Sequence, residues 1–420
     1  MGPFILWRVW AAQRGARARV PAIRQNGELV RRLAFVLAVA SLSGALLPSC
    51  LAAAQTLPPW SGTLSLPEAA AAPSNAALVI SGTAGAEVIA IHQNLDGSLT
   101  VTVNGRTQSV AAADVPRLVV DGRAGNDTIT VDPTVTEGLA IFGGAGNDVI
   151  DVGGSGTVYV DGGPGSDTIL SGTGLGLLFG GAGNDQLTVR GAAGIMAGGP
   201  GTDTYAGGSN STRIFAQGGE KIDAPGRITR VSLSSTDTAG HVPGYVLHVI
   251  GTTAFRQRAR SDITSLRSVP DGRKLLTALD NAGHAVSAKQ TTGGNDTTIL
   301  DPTKAFLRAG GTHGAGSASA ISYNPYETAI EGGAQAWRRR PPIVGLVHEL
   351  VHALNASTGT MQPGKNAAHV LRLELQDIGL PSNGIAFRWT AKAAASPNNP
   401  RVFTENGFRA LLGIAPRTAY

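Results

Sequence analysis

The chain has 420 residues, of which 57 are Gly, while only 15% are charged and 5% aromatic. An ordinary globular protein carries about 7% Gly and about 25% charge, so part of this chain is built from turns, and a helical bundle, a collagen and a disordered acidic tail are excluded. The formal net charge of +5 does not mark a nucleic-acid binder, because residues 1–54 hold seven Arg against one Glu, leaving 27 basic and 28 acidic residues in 55–420, a net of −1.

The first predicted element is a leader. Arg31 and Arg32 precede an apolar run over 33–47, and the small residues Ala52, Ala53 and Ala54 stand before Gln55. This pattern predicts a secretory signal peptide over 1–54, cleaved after Ala54, with a linker over 55–75. An apolar run of 15 residues is short for a bilayer span, so no stable membrane insertion is expected after cleavage. The expected location is extracellular, with the periplasm as the alternative. Cys50 is the only cysteine and lies in the leader, so the mature chain has no disulfide to staple it.

An internal repeat follows. Aligned on aspartate, it reads DGRAGNDTI at 121–129, GGAGNDVI at 143–150, GGPGSDTIL at 162–170, GGAGNDQL at 180–187 and GGPGTDTY at 198–205. The aspartates Asp127, Asp148, Asp167, Asp185 and Asp203 are spaced 21, 19, 18 and 18 residues apart. Calcium takes six to eight oxygens at about 2.3–2.6 Å, from carboxylates and from carbonyls that a tightly turning Gly-rich loop can aim inward. The apolar residue two after each Asp (Ile129, Ile150, Ile169, Leu187) is expected to begin a short strand facing the core. The segments between these loops keep Gly but lack Asp, so calcium is expected along one edge only. Arg123 departs from the pattern in place of the second Gly, and Glu87 in ISGTAGAEVIAI stands where an outer repeat would have its Asp. The repeats resemble the RTX nonapeptide, G-G-x-G-x-D-x-U-x, and the resemblance implies a calcium-loaded parallel β-roll over 76–210. A connecting segment is expected over 211–245.

From 246 the pattern changes. Phe255, Ala259, Ile263 and Leu266 have helical spacing, and a second helix lies between Pro270-Asp271 and Gly283. AISYNPYE at 320–327 reads as a short strand ended by Asn324 and Pro325. PPIVGLVHELVHALN at 341–355 then predicts a buried helix on which His348, Glu349 and His352 are the only polar residues before Asn355. His348 and His352, four apart, share one helical face and can meet one ion; the pattern is that of a catalytic zinc site with Glu349 as general base. The third ligand must come from downstream, and the candidates are Glu374 in LRLELQDIGL and Glu405 in FTENGFRALLGI. Glu374, 22 residues after His352 on a predicted helix, is preferred.

SYNPYE, GLVHELVHALN, LELQDIGLP, TENGFRALLG and the terminal Arg417-Thr418-Ala419-Tyr420, within 246–420, resemble the NleD-like effector metallopeptidases. The resemblance implies a zincin-like zinc endopeptidase acting on a protein or peptide substrate, host proteins among the candidates. The R-x-x-Y ending is also similar to that of clostridial neurotoxin peptidases, which implies that Arg417 and Tyr420 face the zinc and stabilise the oxyanion. The expectation is a secreted multidomain protein, an all-β parallel β-roll followed by an α+β zincin-like metallopeptidase domain, using Zn2+ for catalysis and Ca2+ for structure. The alternative is a calcium-dependent adhesin whose zincin-like domain is inactive.

Overall fold

The computed structural model describes residues 63–65, 77–234, 240–308, 311–330, 336–381 and 400–420. The expected leader with Cys50, and all of the linker but 63–65, lie outside them. No helix among the described residues is long and apolar enough to cross a membrane.

Among the described residues, the N-terminal part consists of two nine-stranded sheets. From Leu118 to Arg230 each strand joins the sheet opposite to the one before it, and neighbours within a sheet are parallel. Antiparallel pairs occur at the N-terminal side, where Thr63–Ser65 pairs with Leu78–Ser81 and where Val88–Gln93, Leu99–Val103 and Arg106–Val110 form a meander. The near-constant repeat length has a direct structural consequence. Ile129, Ile150, Ile169, Leu187 and Tyr205 stand in one register across the second sheet, all buried. Burying each such side chain contributes about 1.5–3 kcal/mol, which stands in for the missing disulfides.

The two sheets differ in how many faces they bury. Strands of the second sheet alternate exposed and buried residues, as in Thr128–Val131. Strands of the first, such as Leu118–Asp121, Leu139–Phe142 and Val158–Pro164, are buried on both faces, the mark of a parallel sheet covered on each side. Its inner residues (Val120, Ile141, Val160, Leu178) share a core with the second sheet. Its outer residues (Val119, Ala140, Tyr159, Leu177) share a different core with the C-terminal region. The strands Arg213–Ala216, Lys221–Asp223 and Arg227–Arg230 extend these sheets into the segment where the sequence suggests only a connection. Residues Trp60–Tyr420 form one compact unit.

The C-terminal region is α+β. A four-stranded sheet has the order Leu247–Ile250, Val286–Gln290, Ser319–Tyr323, Asp296–Ile299, the last strand antiparallel to its neighbour and at the edge. Helix α1, Thr253–Arg267, lies on the outer face of the first N-terminal sheet, and α2, Pro270–Ala282, ends at Gly283 in the left-handed conformation that terminates a helix. After the short α3, Pro302–Ala305, comes α4, Pro342–Thr358, with Pro at its start and Gly359 at φ 68° past its end. Helix α4 is buried along nearly its whole length, consistent with its apolar composition. Two shorter helices follow among the described residues, α5 (Arg372–Ile378) and α6 (Glu405–Leu412).

Candidate functional site

Helix α4 brings His348, Glu349 and His352 to the floor of a cavity of about 600 Å³ that Thr297, Glu374 and Tyr420 also line. The two imidazole Nε2 atoms are 3.1 Å apart, and Oε2 of Glu374 on α5 lies 3.4 Å from one and 3.5 Å from the other. One donor atom from each of these three residues falls within 4.8 Å of the others, the geometry of a metal-ligand set.

Each ring is held from behind. The Nδ1 of His348 lies 3.0 Å from Oε2 of Glu405, and the Nδ1 of His352 contacts Asp377, which Asn355 also binds. A carboxylate beside Nδ1 favours a proton on that nitrogen, which in a neutral ring leaves the Nε2 lone pair for the shared point. The structure therefore places the two candidate glutamates on opposite sides of the His348 ring, Glu374 among the converging donors and Glu405 behind it. Glu405 is itself fully buried, with Arg409 Nε 2.7 Å from its Oε1 and the Arg417 guanidinium 3.3 Å from its Oε2.

The electrostatics favour positive charge at this point. Burial alone would lower the pKa of His348, but Glu374 and Glu405 outweigh it and raise the imidazole to about 9. In His352 burial again works against the charge, but Asp377 and Glu374 raise the imidazole well above its ordinary value. Burial would raise Glu374, yet the two imidazoles hold it well below the usual carboxylate range. Neutral imidazoles with a metal cation satisfy the same carboxylates, so the donor set fits a divalent ion.

Glu349 does not join the donors. Its Oε2 accepts a hydrogen bond of 2.7 Å from Oγ1 of Thr297, on the edge strand Asp296–Ile299. At the C-terminus, the Arg417 guanidinium lies 5.2 Å from the centre of the Tyr420 ring, and burial together with the nearby Glu374 raises the Tyr420 hydroxyl. Sequence reasoning missed Asp377 and Thr297. Asp377 was within reach, three residues after Glu374 and so on the same helical face. Thr297, in TTGGNDTTIL, carries no such signal.

The repeat aspartates form a second constellation. Oδ1 of Asp127 accepts the backbone N–H of Glu87 at 2.7 Å, and the pattern continues from Asp127 to Asp148, Asp148 to Asp167 and Asp167 to Asp185, each at 2.8 Å, and from Asp185 to Asp203 at 2.9 Å. The second oxygen, Oδ2, of each of the five aspartates is buried without a hydrogen-bond partner among the described residues. These oxygens lie where the first Gly of each repeat would carry a side chain. A Cβ on Gly143 or Gly162 would stand 2.4 or 2.3 Å from Oδ2 of Asp148 or Asp167, so only glycine leaves the carboxylates room. Arg123, the departure from the pattern, adopts the left-handed conformation of the glycines it replaces, φ 72°.

No curated protein and no solved structure matches the chain. Residues 244–420, the segment that carries the His348–His352–Glu374 cluster, match the model of the M91 peptidase family, described as an effector protein, and this C-terminal region is thus similar to the NleD-like effector metallopeptidases.

Proposed function

We propose that the chain is a zinc-dependent metalloendopeptidase that hydrolyses peptide bonds in protein substrates. The observation that carries this reading is the convergence of His348, His352 and Glu374 on one point of an open cavity with Glu349 alongside. A zinc ion held by His348, His352 and Glu374 would supply Lewis acidity to the scissile carbonyl and to the attacking water. Glu349, held on one oxygen by Thr297, turns the other toward that water, takes its proton and passes it to the leaving amine. Tyr420 and Arg417 donate hydrogen bonds to the oxygen on which charge develops. Glu405 and Asp377 keep the two imidazoles in the ligand tautomer. The test is elemental analysis together with cleavage of a random peptide library by the chain lacking residues 1–54. Near one zinc per chain with cleavage supports the reading; zinc without cleavage favours an adhesin bearing an inactive domain; a protein without zinc overturns it.

Two substitutions separate the ligand from its support. Glu374→Gln is expected to lower zinc affinity at least 1000-fold, whereas Glu405→Gln lowers it about 10- to 100-fold, measured by competition with a chromogenic chelator. Equal losses would undo this assignment. Tyr420→Phe is expected to lower kcat about 100-fold at unchanged KM, as removal of one oxyanion donor does.

We further propose that the paired sheets are an RTX-like calcium-binding β-roll, with ions along the edge formed by Asp127, Asp148, Asp167, Asp185 and Asp203. A row of buried carboxylates, each with one oxygen unpartnered, supports this, because the negative charge demands a cation or a proton. The β-roll and the peptidase are read as successive parts of a secreted chain, with the leader over 1–54 directing export and the repeats setting only where calcium is plentiful.

A further inference from the structure

Helix α6 presents Glu405 to His348 from its first position, and both of its ends are held. At the start, Thr404 accepts the N–H of Gly407 at 3.0 Å. At the other end, one guanidinium nitrogen of Arg213 donates to the carbonyls of Ala410, at 2.8 Å, and Leu411. These belong to the last turn, where carbonyls run out of helical partners and the helix dipole is negative, so a cation there is favourable on both counts. Arg213 is not part of the peptidase region. It lies on the strand Arg213–Ala216 of the first N-terminal sheet, outside the residues 244–420 that the family model matches.

We propose that Arg213 is a positioning residue for the metal centre, acting through α6 and Glu405, so that the repeat sheets form a working part of the peptidase rather than a detachable carrier. The proposal rests on the zinc reading of the site. At 1.5 Å per residue the eight residues of α6 span about 12 Å, and a helix that short is not stable by itself. Its placement comes from what grips it. Phe408 and Leu412 sink into the core that the outer face of the first sheet shares with α1, α2 and α4. That packing fixes how deep the helix lies. Arg213 adds a directional anchor at the end opposite Glu405, and so limits the tilt or slide that would draw the carboxylate away from the Nδ1 of His348.

The sheet is anchored to the peptidase region at other points as well, which gives Arg213 a firm base. Arg258 of α1 binds Asp161, in the strand Val158–Pro164, at 2.6 Å, and is itself buried. The hydroxyl of Tyr326 donates to Asp121, in the strand Leu118–Asp121, at 2.5 Å. The same sheet face thus reaches the peptidase region under α1, beside the strand that ends at Tyr323, and at the end of α6.

The test uses the chain from residue 55 with calcium and zinc present and compares Arg213→Ala and Arg213→Lys with Arg230→Ala, which removes an exposed arginine of the same sheet. Zinc release into a chromogenic chelator, kcat and Tm are followed. Arg213→Ala is expected to release zinc about 10-fold faster and to lower kcat about 10-fold at a Tm within about 3 °C of the parent, with Lys restoring most of the loss and Arg230→Ala without effect. In a Glu405→Gln background, Arg213→Ala should add nothing further, because the residue acts through that carboxylate. Zinc release and kcat within twofold of the parent would overturn the proposal, as would losses that simply follow a falling Tm or that add in full to those of Glu405→Gln. A parent protein that neither holds zinc nor cleaves peptides would instead overturn the zinc reading, and the proposal with it.

Discussion

Replacing Glu349 by glutamine is expected to lower kcat/KM about 1000-fold or more while zinc content stays at that of the parent. Positioned general acid-base groups contribute about 100- to 10,000-fold, and Glu349 carries both proton transfers of the proposed reaction, so its effect should fall in the upper part of that range. The structure explains why metal binding should survive. Glu349 is bonded to Thr297 and stands apart from the three converging donors, and glutamine keeps both its size and an acceptor for the Thr297 hydroxyl. The measurement is a progress curve on a peptide selected from the library, paired with elemental analysis. Loss of zinc along with activity would make Glu349 a ligand, and activity within 10-fold of the parent would remove it from the proton-transfer role.

The second large effect concerns the aspartate row. Burial pushes Asp148 up to about 6, Asp127 and Asp185 to about 7, and Asp167 and Asp203 to about 8, from an ordinary value near 4. Between pH 4 and 8 the folded chain without calcium therefore holds more protons than the unfolded chain. The contribution of this row to stability falls as pH rises through that window, and below pH 4, where both states are protonated, the penalty vanishes. On the proposed reading of the row as a calcium site, bound ions would replace the protons and remove the penalty. With zinc held constant, calcium is expected to raise Tm by about 10 °C or more at pH 8 and by much less at pH 5. Asp167→Asn sharpens the test. The amide oxygen still accepts the N–H of Asp148 but carries no charge, so the variant should be more stable than the parent at pH 8 without calcium and gain less from its addition. A calcium response of Tm that is absent at pH 8 would end the reading of this row as a cation site.

Much of this protein follows from its sequence through spacing alone. Aspartates recurring at 18 or 19 residues put the residues two places later in one register, because each circuit of the two sheets consumes one such interval. Two histidines four apart on an apolar stretch must share a helical face, because an α-helix turns every 3.6 residues. Local periodicity encodes both results, and no distant contact is needed to derive them. The roles of Glu374 and Glu405 have no such encoding. Both are acids on short helices downstream of α4, and it is tertiary packing, with Phe408 and Leu412 in the shared core, that brings α6 to the Nδ1 side of His348 while α5 delivers Glu374 to the Nε2 side. Thr297 reaches Glu349 through a strand pairing that spans unrelated segments. The joining of repeats and peptidase region in one core was decided in the same way. Val119, Ala140, Tyr159 and Leu177 read as ordinary strand residues until the C-terminal region covers them, since a sequence states which residues are apolar but not which distant surface will bury them.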